Sequence, residues 1–163
     1  MIAVLDNIRS LHNVGSIFRT ADGAGVKKII LTGITPLPVD RLGNPREQLT
    51  KVSLGAEKYV SWEHKRSASY AVDRLKNQGY QIIVLERAKR AVPYWDYKLP
   101  SEGISKIALV VGHEIKGVSE AVIRRADCIL EIPMQGKKES LNVAVAFGIV
   151  VFHILTLQNL KLN

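Results

Sequence analysis

The chain contains a single cysteine, Cys128, among 163 residues. One thiol excludes an intramolecular disulfide and any cysteine-rich metal centre. The four histidines are scattered without ligand spacing such as HxxxH, so no metal is expected. The amino terminus, Met-Ile-Ala-Val-Leu-Asp, has no basic leader region and no cleavage site. The longest nearly unbroken apolar run, Val143 to Leu157, is 15 residues. That falls short of the ~20 residues a membrane span needs. Neither phosphate-binding glycine fingerprint occurs: GxGxxG and GxxxxGK[ST] are both missing. These absences set the expectation of a soluble protein in a reducing cytoplasm, with no membrane and no metal.

Acidic residues are also in short supply, 15 against 23 Lys and Arg, for a net charge of +8. The excess is spread along the chain in small clusters: Lys27-Lys28, Lys65-Arg66, Arg87 with Lys89-Arg90, Arg124-Arg125 and Lys137-Lys138. A solvated basic surface that aids solubility is one reading. A phosphate-contacting face with salt-sensitive binding is the other.

What is abundant is apolar sequence, 47% of residues, arranged in short Val- and Ile-rich runs. Residues 2–5, 28–31, 58–60, 81–85, 106–111 and 128–132 read as strands. Helical patterns separate them at about 14–23, 46–53, 65–77, 119–125 and 141–158. This alternation predicts an α/β fold with a mostly parallel sheet covered by helices. Residues 1–163 read as one domain without an appended RNA-binding domain. Thr35–Pro45 is the candidate mobile loop, and Ala91–Gly103 a second long connection. The last helix is apolar on nearly every face, so it needs cover on two sides. One side can lie on the sheet. The other can meet a second subunit, with Ala144, Ala146 and Gly148 allowing close approach.

Three segments stand where such a fold places chemistry. Asn13-Val-Gly15-Ser-Ile-Phe-Arg19 follows the first strand, with Asn13 as a plausible helix N-cap and Gly15 keeping the first turn open. Backbone N–H groups at that helix start attract anions. Gly112-His-Glu114-Ile-Lys-Gly117 follows an apolar strand, and ligands in open α/β sheets sit beyond strand carboxyl ends. Ile132-Pro-Met134 leads through a glycine-bearing loop to Ser140-Leu-Asn142-Val-Ala-Val-Ala. Ser140 is the expected cap of the long helix. Asn142, in the first turn of an apolar helix, is costly unless hydrogen-bonded.

Taken together, in this order, the segments resemble the three motifs of the SpoU-TrmH branch of the SPOUT RNA 2′-O-ribose methyltransferases: NxGxxxR, GxExxG and IPM…SLNVxxA. The resemblance spans residues 11 to 146 and extends to Leu54-Gly-Ala-Glu57 between motifs. It departs at His113, where relatives commonly carry Asn or Pro, and in SLNVAVA, where SLNVSVA is more usual.

The resemblance implies a C-terminal deep trefoil knot from about residue 85 onward. Knots are nearly absent among folds, so that expectation comes from the likeness alone. It implies S-adenosyl-L-methionine as cofactor, its adenosyl group against Leu85, Gly112, Ile132, Ser140 and Leu141, with Gly117 in the same turn. It implies a homodimer pairing through the first and last helices. Arg19 is then the central catalytic residue, reaching a cofactor bound by the other subunit. Asn13 helps place Arg19 or the ribose, Glu114 orients the arginine across the dimer, and Ser140 and Asn142 shape the pocket under the methyl group. The substrate is a ribose 2′-hydroxyl of tRNA or rRNA. A catalytically inactive RNA-binding dimer and a knotted base-nitrogen methyltransferase are the alternatives.

Overall fold

A computed structural model describes residues 1–101 and 103–162, and the side chains as far as residue 160. In chain order the strands are β1 (Ile2–Asp6), β2 (Lys28–Thr32), β3 (Ser61–Lys65), β4 (Gln81–Leu85), β5 (Val92–Pro93), β6 (Ile107–Gly112) and β7 (Cys128–Glu131). The helices are α1 (Leu11–Gly23), α2 (Glu47–Ser53), α3 (Ala68–Asn77), α4 (Glu120–Ile123) and α5 (Val143–Leu162). The seven strands form one sheet in the order β3-β2-β1-β6-β4-β7-β5. Every pair in it is parallel. All strand carboxyl ends therefore point to one edge, and the loops leaving them share a surface.

Strand periodicity sorts the core into two layers. Ala3, Leu5, Ile29, Leu31, Leu109 and Val111 face the side covered by α1, α2 and α5. Ile2, Val4, Ile30, Ala108 and Val110 face α3 and α4. Residues one apart point to opposite faces, so strands buried on both faces read as continuous apolar runs. Each fully buried aliphatic side chain contributes roughly 1.5–3 kcal/mol.

Several expected boundaries shift for identifiable reasons. Residues 58–60 are not a strand: Leu54 (φ 52) and Gly55 (φ 89) turn the chain left-handed into a short 3-10 turn at Ala56–Lys58. The strand follows at Ser61–Lys65, an edge strand with little apolar signal. Helix α3 starts three residues later than expected, where the Ser67 hydroxyl accepts the Tyr70 N–H. The two-residue strand β5 carries Pro93 at the sheet's other edge, where a missing N–H is tolerated. The Thr35–Pro45 segment is a closed turn, bridged from Val39 to Pro45, with Asp40 accepting the N–H groups of Leu42 and Asn44.

Two expected helix caps also move. Helix α1 is capped by Ser10, whose hydroxyl accepts the Asn13 N–H at 3.3 Å, so Asn13 sits inside the helix. Gly15 is the point where α2 crosses α1: a Cβ there would stand 2.6 Å from the Leu49 carbonyl oxygen. The long helix starts at Val143, and its N-terminal amides Ala144 and Val145 are capped by Asn142 at 2.9 and 3.4 Å, not by Ser140.

At 20 residues α5 outruns its apolar run, and its window Val143–Leu160 is long and apolar enough to cross a membrane by length and composition. Phe147, Val150, Val151 and Ile154 are nevertheless fully buried in the sheet-facing core. The opposite face leaves Val145, Phe152 and Leu160 exposed at 52%, 47% and 70%. It lies beside α1: a Cβ on Gly148 would meet the Thr20 methyl at 3.7 Å, and one on Gly23 would meet Phe152 at 3.9 Å.

Candidate active site

The loops beyond β4, β6 and β7 close around one cleft. Leu85, Gly112, Glu114, Gly117, Ile132, Ser140, Leu141 and Asn142 all line it. Of the residues singled out from sequence, Asn13 and Arg19 are not in that lining.

The geometry begins with the turn after β6. His113 and Gly117 exchange backbone hydrogen bonds at 3.1 and 2.8 Å, and Gly117 takes φ 69. A side chain at 117 would be strained by that φ and would collide with the Glu86 carboxylate. Glu86 in turn accepts the Val118 N–H at 2.8 Å, so the end of β4 holds the turn after β6. The turn projects Glu114 toward α1. Its carboxylate accepts the Arg9 N–H at 3.1 Å, the Ser10 N–H at 3.0 Å and the Asn13 side-chain amide at 2.9 Å. Burial pushes this carboxyl up, but the N–H groups of Arg9, Glu114 itself and Ser10 and the Asn13 amide outweigh it. Its pKa lies below the ordinary glutamate value.

Asn13 passes the connection on. Its Oδ1 accepts the Asn142 amide at 3.0 Å, while Asn142 Oδ1 caps α5. Glu114, Asn13 and Asn142 thus form one bridge that ties the three sequence segments together within a single chain. Glu114 secures the start of α1. Arg19, farther along α1, is exposed and pairs with no described residue. It lies outside its own chain's cleft.

Sequence reasoning missed several cleft residues. Glu86, Arg87, Glu131 and Glu139 also line it. The Arg87 guanidinium donates to the Glu139 carbonyl at 3.1 Å and its carboxylate at 3.3 Å, joining the loops after β4 and before α5. The available signal was a charged pair directly after an apolar strand. The cleft is lined by four carboxylates and one guanidinium in a chain of net charge +8. Leu85, Val111, Ile132, Leu141 and Val143 supply apolar walls. Such a site suits an organic cation with a flat apolar part. Among the described residues no group of three or more His, Cys, Asp or Glu side chains gathers as metal ligands.

Residues 1–152 match the model of the SpoU rRNA methylase family. An uncharacterised tRNA/rRNA methyltransferase of Mycoplasma genitalium is 32% identical over 154 residues, covering 93% of this chain and 59% of its own length. The chain thus spans well under two thirds of that relative. The AdoMet-bound rRNA methyltransferase of Sinorhizobium meliloti superposes with a TM-score of 0.83 at 26% identity, covering 95% of this chain and 55% of that one. The structure of an RNA 2′-O ribose methyltransferase gives a TM-score of 0.81 at 25% identity, covering 98% of this chain and 57% of that one. A family model matched over nearly the whole chain, and a sheet that superposes on solved members, make this protein a member of the SpoU rRNA methylase family.

Proposed function

We propose that the protein transfers a methyl group from S-adenosyl-L-methionine to a ribose 2′-hydroxyl of tRNA or rRNA, acting as a homodimer. The observation that carries this reading is the Glu114–Asn13–Asn142 bridge, which fixes α1 beside an acid-lined cleft and leaves Arg19 unpaired on its surface. The methyl donor and ribose acceptor named for the two superposed structures support it. The trefoil knot of the C-terminal segment belongs to the same proposal.

The cofactor supplies an electrophilic methyl group on a positively charged sulfur. Glu86, Glu114, Glu131 and Glu139 make the cleft electrostatically favourable for that charge. Leu85, Ile132 and Leu141 offer apolar contact to the adenine, and Arg87 is placed to receive a carboxylate. A 2′-hydroxyl is a poor nucleophile until its proton is leaving, so the site must stabilise developing negative charge. Arg19 is the group for that task. Its guanidinium is a planar fork of N–H donors, which holds the neighbouring phosphate and polarises the hydroxyl. That phosphate assists removal of the proton. Because Arg19 lies outside its own cleft, it serves the cleft of the partner, and the exposed Val145 and Phe152 on α5 beside α1 are the surface through which two chains pair.

The test is transfer of a tritiated methyl group to total tRNA and to ribosomal RNA, followed by digestion to nucleosides. Label in a 2′-O-methyl nucleoside, lost in Arg19→Ala with cofactor binding retained, is the expected result. Label on a base refutes the ribose assignment. Absence of both transfer and cofactor binding refutes the enzyme.

A further inference from the structure

A second cavity lies beside the cleft, between the carboxyl ends of β1 and β6. It is lined by Asp6, Asn7, Ile34, His113, Lys116 and Ser119. His113 and Gly117 line both cavities. We propose that this slot binds a phosphodiester of the RNA next to the methylated nucleotide, an inference that rests on the methyltransferase reading above.

The donors available there decide the chemistry. The Asp6 carboxylate is buried and already committed, accepting the Ser119 N–H at 2.9 Å and the Asn7 amide at 2.8 Å. Asn7 Oδ1 accepts the Ile34 N–H at 3.1 Å, and one of its two amide hydrogens goes to Asp6. His113 Nδ1 accepts the N–H groups of Ile115 and Lys116 at 3.0 and 3.3 Å, which makes Nε2 the donor of the ring. Ser119 heads α4 without its hydroxyl making a capping bond. The Lys116 ammonium pairs with no described residue. What remains free is therefore one ring N–H, one amide hydrogen of Asn7, one hydroxyl and one cation: a donor set that fits phosphate oxygens. Ile34, 63% exposed, gives the slot an apolar side for the attached sugar or base.

The surrounding charge points the same way. Arg9, Arg41, Arg66, Lys89 and Lys137 stand on loops that leave strand carboxyl ends, and none forms an ion pair with a described residue. At the opposite edge Lys28, Lys76 and Arg125 are held by Glu63, Asp127 and Asp73. Unpaired cations thus stand around the edge that holds cleft and slot, where a polyanion would release counterions, although Lys27 and Arg74 toward the opposite edge also lack an ion pair with a described residue.

The experiment uses whichever of total tRNA or total ribosomal RNA the wild type labels. RNA affinity is measured over a salt series, with kcat and KM for RNA and with cofactor binding as the control for an intact cleft. Lys116→Glu is expected to weaken RNA binding about tenfold and to lower the salt slope by about one. KM for RNA rises while kcat and cofactor affinity hold, and Lys116→Arg restores the wild-type values. Unchanged RNA affinity and slope in a Lys116→Glu protein that still transfers methyl overturns the slot alone. A wild type that neither binds cofactor nor transfers methyl overturns the underlying reading, and the slot with it.

Discussion

Glu114 offers the sharpest prediction about how the site is held together. Its carboxylate takes three donors at 2.9–3.1 Å, two of them backbone groups just before α1. Hydrogen bonds to a charged acceptor contribute about 1.5–3 kcal/mol each when buried, but this side chain is 23% exposed and all three donors share one group. Glu114→Ala should therefore cost about 2–3 kcal/mol rather than three full bonds. For a chain of this size that is a fall in Tm of roughly 4–12 °C. The pH dependence gives an independent sign. The folded pKa is depressed, so the contribution is complete above the ordinary glutamate value of 4.5 and is lost as pH falls through that value toward the folded one. Melting curves from pH 7 down to 3.5 should show the gap between wild type and Glu114→Ala narrowing at the acid end. A gap under about 1 °C at pH 7, or one that is independent of pH, would refute the bridge as a stabilising element.

Two further substitutions test the helices that carry the site. Gly15→Ala pushes a methyl against the Leu49 carbonyl and the Val52 side chain, and should destabilise by about 1–3 kcal/mol in urea unfolding; a neutral result would mean that α2 moves away freely. Phe152→Arg places a charge on the exposed face of α5 and should weaken self-association about thirtyfold or more by sedimentation, with an unchanged far-UV spectrum and with methyl transfer lost in parallel. A monomeric variant that retains full transfer would remove the case for a shared site.

The three motif segments were legible because their chemistry is local: a strand end, a glycine that must turn, a polar residue where an apolar run begins. Glu114 stood in a polar turn after an apolar strand and Asn142 at the head of an apolar helix, and the structure joins both to Asn13. The caps were harder. Ser10 and Asn13 are both competent caps three residues apart, and only the Glu114 carboxylate, distant in sequence, selects where α1 starts. The choice of Asn142 over Ser140 is likewise coupled to Asn13. Strand β3 hid because an edge strand need not be apolar, and residues 58–60 misled because Val60 is buried without pairing. The cleft's carboxylates were invisible as a set. Glu86 follows β4, whereas Glu131 ends β7 and Glu139 lies on the loop after it, and only the pairing of β4 with β7 brings them together.

The claim that each active site combines one chain's cleft with its partner's Arg19 is tested most directly by mixing two inactive proteins. Arg19→Ala removes the arginine proposed to be catalytic, and Leu141→Arg puts bulk and positive charge into the cleft. After co-refolding, half the dimers are mixed, and each holds one site with an intact cleft and an intact arginine from opposite chains. Methyl transfer should return to about a quarter of the wild-type level, while neither parent alone shows any. If Arg19 served the cleft of its own chain, no site in the mixed dimer would be whole, and the mixture would stay inactive.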